Sequence, residues 1–157
     1  MDDVRNGNSG LLQLVTFKVE DEEFGVDILG VQEIIRSMEV TRVPKAPAFV
    51  EGVINLRGKV IPIVDLRKRF GLVQKAHDRN TRIIVMEMAS AVVGFVVDSV
   101  SEVLRLPAST VEPTPAVVAG IDSEYIRGVG KLDDRLLILL ELDRLLNAGE
   151  HELLQAA

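Results

Sequence analysis

The chain has 157 residues, 47% of them hydrophobic, which suits one globular domain or two very small ones with a real core. A net charge of −6, aromatics at 4% and no tryptophan argue against a surface that neutralises phosphates and stacks on bases. With no cysteine, disulfides, iron–sulfur clusters, thiolate zinc sites and cysteine nucleophiles fall away together.

Residues 1–10 are polar and read as a disordered leader, with no basic-then-apolar secretory signal. No apolar run approaches the roughly 20 residues of a membrane helix, so the chain is expected to be cytoplasmic. From Leu12 the pattern is strand-like, with Val15, Phe17 and Val19 alternating with polar neighbours. Residues 20–23 form a polar turn, and Phe24, Val26 and Ile28 resume the alternation. Asp27 is then placed to cap a short helical segment in which Ile28, Val31, Ile34 and Ile35 share a face. Residues 40–43 are strand-like and stop at Pro44.

Residues 50–56 and 59–64, separated by Arg57-Gly58, read as a β-hairpin, with Pro62 marking an edge or a bulge. Asp65 caps one helical turn that ends at Gly71, and residues 74–81 form a polar linker.

The second half repeats the first. Residues 14–36 overlay 83–105 without a gap, so that Gly25 meets Gly94, Val31 meets Val100, Glu33 meets Glu102 and Arg36 meets Arg105. Residues 49–70 overlay 125–146, bringing Gly52 to Gly128, Leu56 to Leu132 and Asp65 to Glu141. The extra residues fall in the loop at 107–123, where insertion costs little. Each copy spans about 60 residues, near the lower limit for an independent core, so two gain by burying a shared seam. Short strands without crossover helices point to small antiparallel barrels. The expected layout is a domain over 11–147, with one barrel over about 14–71 and the other over about 82–146. Which barrel receives the first strand of each half is left open, and residues 148–157 read as a tail.

The search for chemistry finds no convergence. His77 and His151 lack a second ligand at metal spacing and read as surface residues; no metal or cofactor is expected. The adjacent acids Glu22-Glu23 and Asp133-Asp134 sit in turns and cannot flank a scissile bond. Gly128-Val129-Gly130-Lys131 fails as a phosphate loop because Tyr125 and Leu132 stand where Gly and Ser or Thr are required. Ser99 and Ser101 have no neighbouring base. No catalytic residue is assigned. The halves differ in charge at the hairpin tip, Arg57-Gly58 against Asp133-Asp134, and an arginine there suits an acidic partner.

Five ordered motifs resemble the CheW family of chemotaxis coupling proteins: Phe24-Gly25-Val26-Asp27-Ile28, Val31-Gln32-Glu33-Ile34, Gly52-Val53-Ile54-Asn55-Leu56-Arg57-Gly58, Ile61-Pro62-Ile63-Val64-Asp65-Leu66-Arg67 and Gly94-Phe95-Val96-Val97-Asp98. The resemblance runs from about Leu12 to Leu146 and implies a mainly β fold of two SH3-like five-stranded barrels with short helices. It also implies a non-catalytic adaptor, probed by two partners. The cytoplasmic tip of a chemoreceptor would bind in the groove between the barrels, at Val31, Glu33, Ile34, Arg57, Val100 and Val103, with Thr81 and Arg82 bordering it. The regulatory domain of the histidine kinase CheA would pair with the first barrel near Val40, Thr41 and Arg42. The protein would be a monomer when free, would not insert into the membrane, and would be recruited to receptor arrays at the inner face of the membrane. An alternative is a CheW-like module detached from a larger chemosensory protein, the CheA regulatory domain or a CheV-type adaptor. A small-barrel nucleic-acid binder and an unrecognised enzyme are the rivals from other classes.

Overall fold

A computed structural model describes residues 10–113 and 125–156; the expected leader and most of the loop at 107–123 lie outside the described residues. In chain order the strands are β1 (Leu11–Val19), β2 (Glu22–Asp27), β3 (Val31–Arg36), β4 (Gly52–Leu56), β5 (Lys59–Asp65), β6 (Arg82–Glu87), β7 (Val92–Val97), β8 (Ser99–Pro107), β9 (Val111–Glu112), β10 (Ile126–Lys131) and β11 (Leu136–Leu140). The helices are α1 (Leu66–Arg69), α2 (Leu142–Leu145) and α3 (Ala148–Ala156).

Two mainly antiparallel sheets result. One runs β8-β1-β2-β11-β10-β9 and the other β3-β6-β7-β5-β4. A single bridge between Thr41 and Val53 extends β4 in the second sheet, where β9 extends β10 in the first. The two sheets therefore have the same strand order, and the sequence duplication holds down to register. Parallel β5 and β7 place Ile63 opposite Gly94; parallel β11 and β2 place Leu139 opposite Gly25. Both glycines sit under those same aliphatic side chains, where a Cβ at Gly94 would come within 2.7 Å of Ile63 and one at Gly25 within 3.3 Å of Leu139. The fold is two SH3-like units.

The units are not contiguous halves of the chain. The described part of Met1–Ile28 joins Ser101–Leu145 in unit 1, and Leu29–Val100 joins the C-terminal residues from Leu146 in unit 2. Each first hairpin, β1–β2 or β6–β7, thus completes the sheet built by the other copy's later strands. This differs from barrels over about 14–71 and 82–146. The physical reason is that a hairpin can satisfy its outer edges on either copy's strands when both copies offer the same register.

The cores occupy matching positions with different side chains. Unit 1 packs Leu14, Leu137 and Leu139 where unit 2 packs Ile83, Ile61 and Ile63, all nearly solvent-free. Burying each such side chain contributes roughly 1.5–3 kcal/mol. In unit 1, Phe17 and Phe24 face each other across β1–β2 and stack with centroids 5.7 Å apart.

Local expectations fare unevenly. The helical segment placed after Asp27 is only a 3-10 turn, Ile28–Gly30, and Val31–Arg36 is strand β3. A one-residue bulge at Gln32 explains the misreading: Val31 pairs with Met86 but Glu33 pairs with Val85. The bulge puts Val31 and Ile34 on one face, a three-residue spacing that imitates a helix. Pro62 lies in β5, inside the sheet between β7 and β4, not on an edge. It is tolerated because Val53, opposite it, directs its own N–H and C=O to Thr41, while pairing with β7 begins at Ile63. The turn of α1 forms as the sequence predicts, with Asp65 accepting a hydrogen bond from the Arg67 amide at 2.9 Å and Gly71 closing the turn at φ 75°.

Residues 148–156 form α3 and not a loose tail. Asn147 and Glu150 exchange backbone-to-side-chain hydrogen bonds at 2.8 and 2.9 Å, a capping box. Glu150 also receives both guanidinium nitrogens of Arg69, at 2.8 and 2.9 Å, and Leu154 is buried. His151 is likewise engaged, its Nδ1 lying 2.6 Å from the Ser90 hydroxyl.

Gly52 and Gly128 share a second constraint: a Cβ at either would collide with a backbone carbonyl, that of Thr41 or Glu112. Gly52→Ala is expected to lower stability by about 1–3 kcal/mol in chemical denaturation and to loosen the Val40–Thr41–Arg42 segment.

Candidate functional site

The β4–β5 turn is built by its own sequence. Arg57 and Gly58 both have positive φ, 52° and 85°, the pattern of a two-residue hairpin turn that follows strand twist. The Asn55 side chain accepts the Gly58 N–H at 2.9 Å and holds the turn closed. Arg57 therefore stands at a rigid tip, its side chain 70% exposed, and its guanidinium donates to the carboxylate of Glu33 on β3. β3 and β4 are the two outermost strands of the five-stranded sheet, so this ion pair joins its opposite edges. Beside Glu33, Ile34 is 38% exposed and Val31 is half-buried. Four sequence-predicted residues, Val31, Glu33, Ile34 and Arg57, are thereby gathered on unit 2.

Thr81 and Arg82 do not join that cluster. Thr81 is buried, and its hydroxyl accepts the Asp78 N–H at 2.9 Å. The Asn80 amide, at 2.8 Å from Asp78, is the main reason that exposed carboxyl titrates below its ordinary value. Arg82 folds back to donate to the carbonyls of Arg79 and Thr81. Its register partner is Arg36, while Glu33 lies opposite Val85, so roughly 10 Å of strand separates them.

Val100 and Val103 lie on β8, with Val100 half-buried and Val103 57% exposed. The neighbouring Glu102 carboxylate accepts from Arg135 at 2.9 Å, and Arg135 also reaches Glu23 at 3.0 Å. Glu102 is the duplicate of Glu33, so each unit carries a glutamate on its outermost strand paired to an arginine of the hairpin. The repeat sets Arg57 opposite Asp133 and Arg135 opposite Lys59, so nothing in the linear pattern marks Arg135 as the counterpart of Arg57.

Val40, Thr41 and Arg42 run along the outer edge of β4. Thr41 exchanges two backbone hydrogen bonds with Val53, each 2.9 Å, and Val40 packs on the core. Thr41, Arg42 and Val43 are exposed. Behind them a cavity of about 230 Å³ is lined by Arg42, Glu51, Asp65, Lys75 and His77 among others. Burial pushes the Asp65 carboxyl above the ordinary 3.8, with the nearby Glu51 charge adding to the rise. The folded state thus holds the Asp65 proton more tightly than the unfolded state. The resulting stability is present below pH 3.8 and is lost as pH rises through the raised value. Asp65→Asn keeps a capping oxygen without the charge. It is expected to match or exceed the parent in stability at pH 7, with the advantage shrinking toward pH 4 in denaturation series.

Arg67 is buried and holds Asp98 with two hydrogen bonds, 2.9 and 2.7 Å, while donating to the Val73 carbonyl at 2.9 Å. This pair ties α1 to the end of β7 and belongs to the scaffold. Among the described residues no group of three or more His, Asp or Glu side chains is arranged to hold a metal. Among them, too, no helix is long and apolar enough to cross a membrane. What the exposed aliphatic and paired charged groups can do is dock a partner with matching apolar and charged side chains.

Comparison with known proteins agrees with these motifs. The family model for the CheW-like domain matches residues 13–150. The chain is 43% identical over 138 residues to the chemotaxis protein CheW of Klebsiella aerogenes, covering 88% of this chain and 83% of that protein. It is 38% identical over 151 residues to the probable chemotaxis protein CheW of Rhizobium etli, covering 95% and 96%. The crystal structure of the scaffolding protein TtCheW from Thermoanaerobacter tengcongensis superposes with a TM-score of 0.80 at 38% identity, covering 88% of this chain and 96% of that one. With its duplicated SH3-like fold and all five motifs in place, this chain belongs to the CheW family.

Proposed function

We propose that the chain is a non-catalytic chemotaxis adaptor that binds both the cytoplasmic tip of a chemoreceptor and the regulatory domain of the kinase CheA. The observation that carries this reading is the meeting of Glu33 and Arg57. They come from separate sequence motifs, converge at a rigid, exposed tip and sit beside the exposed aliphatic Ile34. Val31, Glu33, Ile34 and Arg57, with Val100 and Val103, supply the receptor surface, and Thr81 and Arg82 border it. Covering the aliphatic groups with a receptor helix contributes roughly 25 cal/mol per Å² before association costs. Arg57 and Glu33 fix register and partner choice.

Val40, Thr41 and Arg42 supply the kinase surface. Among the described residues the β4 edge beyond Val53 meets only the single bridge to Thr41, and Arg42 and Val43 offer a cation and an aliphatic group there. The protein acts in the cytoplasm, recruited to receptor arrays at the inner face of the membrane. Co-purification with a receptor cytoplasmic fragment and with the CheA regulatory domain tests the reading. Capture by each separately is expected; capture by neither would overturn it.

A further inference from the structure

We infer that Thr16 is a positioning residue for the part of β8 that carries Glu102 and Val103, and through it for the receptor-facing residues of unit 1; this rests on the receptor reading proposed above. Thr16 lies in the middle of β1 with no solvent exposure. Its single hydroxyl serves both backbone groups of one residue on the neighbouring strand: it accepts the Glu102 N–H at 3.2 Å and donates to the Glu102 carbonyl at 3.1 Å. In the duplicate, the equivalent residue is Val85, equally buried, opposite Glu33. Valine and threonine have nearly the same shape, so packing alone does not call for the hydroxyl, and a buried hydroxyl is costly unless bonded. Unit 1 has a threonine where unit 2 does with a valine, and the difference lies in what the hydroxyl holds.

Among the described residues β8 is the outermost strand of its sheet, with β1 as its neighbour. An outer strand is free to slip or fray, and a slip of one residue would invert which side chains face outward. Thr16 removes that freedom at Glu102, the residue whose carboxylate meets Arg135 and whose successor, Val103, is 57% exposed. One buried hydroxyl thereby fixes the aim of an exposed carboxylate and an exposed aliphatic side chain.

The test compares Thr16→Val and Thr16→Ser with the parent in the full chain. Three readouts are needed: affinity for a receptor cytoplasmic fragment, affinity for the CheA regulatory domain, and amide hydrogen exchange at Glu102 and Val103. Thr16→Val is expected to weaken the receptor fragment by about five- to tenfold, the loss of a hydrogen-bonded hydroxyl. It should also speed exchange at Glu102 and Val103 while leaving kinase affinity unchanged, because Val40, Thr41 and Arg42 belong to unit 2. Thr16→Ser should restore both receptor affinity and exchange protection. Equal receptor affinity in Thr16→Val, an equal loss toward both partners, or no rescue by serine would overturn the inference. Failure of the parent chain to bind the receptor fragment would instead sink the receptor reading, and the exchange comparison would still decide whether Thr16 holds the strand.

Discussion

Arg67→Ala is expected to cost about 3–5 kcal/mol of folding free energy, the loss seen when one partner is removed from a largely buried ion pair. The side chains of Arg67 and Asp98 are 9% and 17% exposed, and the guanidinium donates to both Asp98 carboxylate oxygens and to the Val73 carbonyl. Alanine leaves the carboxylate without its guanidinium partner in a poorly solvated place and frees the chain that follows α1. Equilibrium urea denaturation measures the effect directly. Arg67→Lys should recover only part of it, because an ammonium cannot span both carboxylate oxygens and the carbonyl at once. A loss below about 1 kcal/mol would mean the pair behaves as an ordinary surface contact.

Arg57→Glu is expected to weaken the receptor fragment by on the order of a hundredfold, about 2.7 kcal/mol, since placing like charges across an interface costs several kcal/mol. The same change should alter stability by less than about 1 kcal/mol, because the Arg57 side chain is 70% exposed. Affinity for the kinase domain should not change. The exchange Glu33→Arg with Arg57→Glu rebuilds an ion pair within the chain and should recover stability without recovering receptor affinity. Isothermal titration of each variant against both partners separates these outcomes. Parental receptor affinity in Arg57→Glu would remove Arg57 from the docking surface.

Much of this molecule is written in local sequence, and the parts that are not have identifiable causes. The duplication was legible because it preserves glycines at backbone close approaches: Gly25 with Gly94 and Gly52 with Gly128 occupy the same constrained places in the two units. The β4–β5 turn was legible because Arg57-Gly58 dictates its geometry. The exchange of first hairpins between copies was not, since two identical registers offer no local signal for which partner wins. β3 looked helical because the bulge at Gln32 moved its apolar residues to a three-residue spacing. Helix α3 had a readable signature, Asn147 and Glu150 in capping-box spacing before Leu153-Leu154, which a polar composition concealed. Within the site, Glu33 and Arg57 were foreseen singly. Their ion pair, and its counterpart between Glu102 and Arg135, depend on contacts across a folded sheet that no linear pattern encodes.

On the proposed reading, one adaptor chain holds receptor and kinase at the same time through different residues. Sedimentation velocity of the chain mixed with a receptor cytoplasmic fragment and the CheA regulatory domain tests it most directly. The account predicts a boundary with the mass of all three components, reduced to the chain and kinase domain alone when Arg57→Glu replaces the parent. Two separate binary complexes that exclude each other, or a three-component boundary that survives Arg57→Glu unchanged, would contradict it.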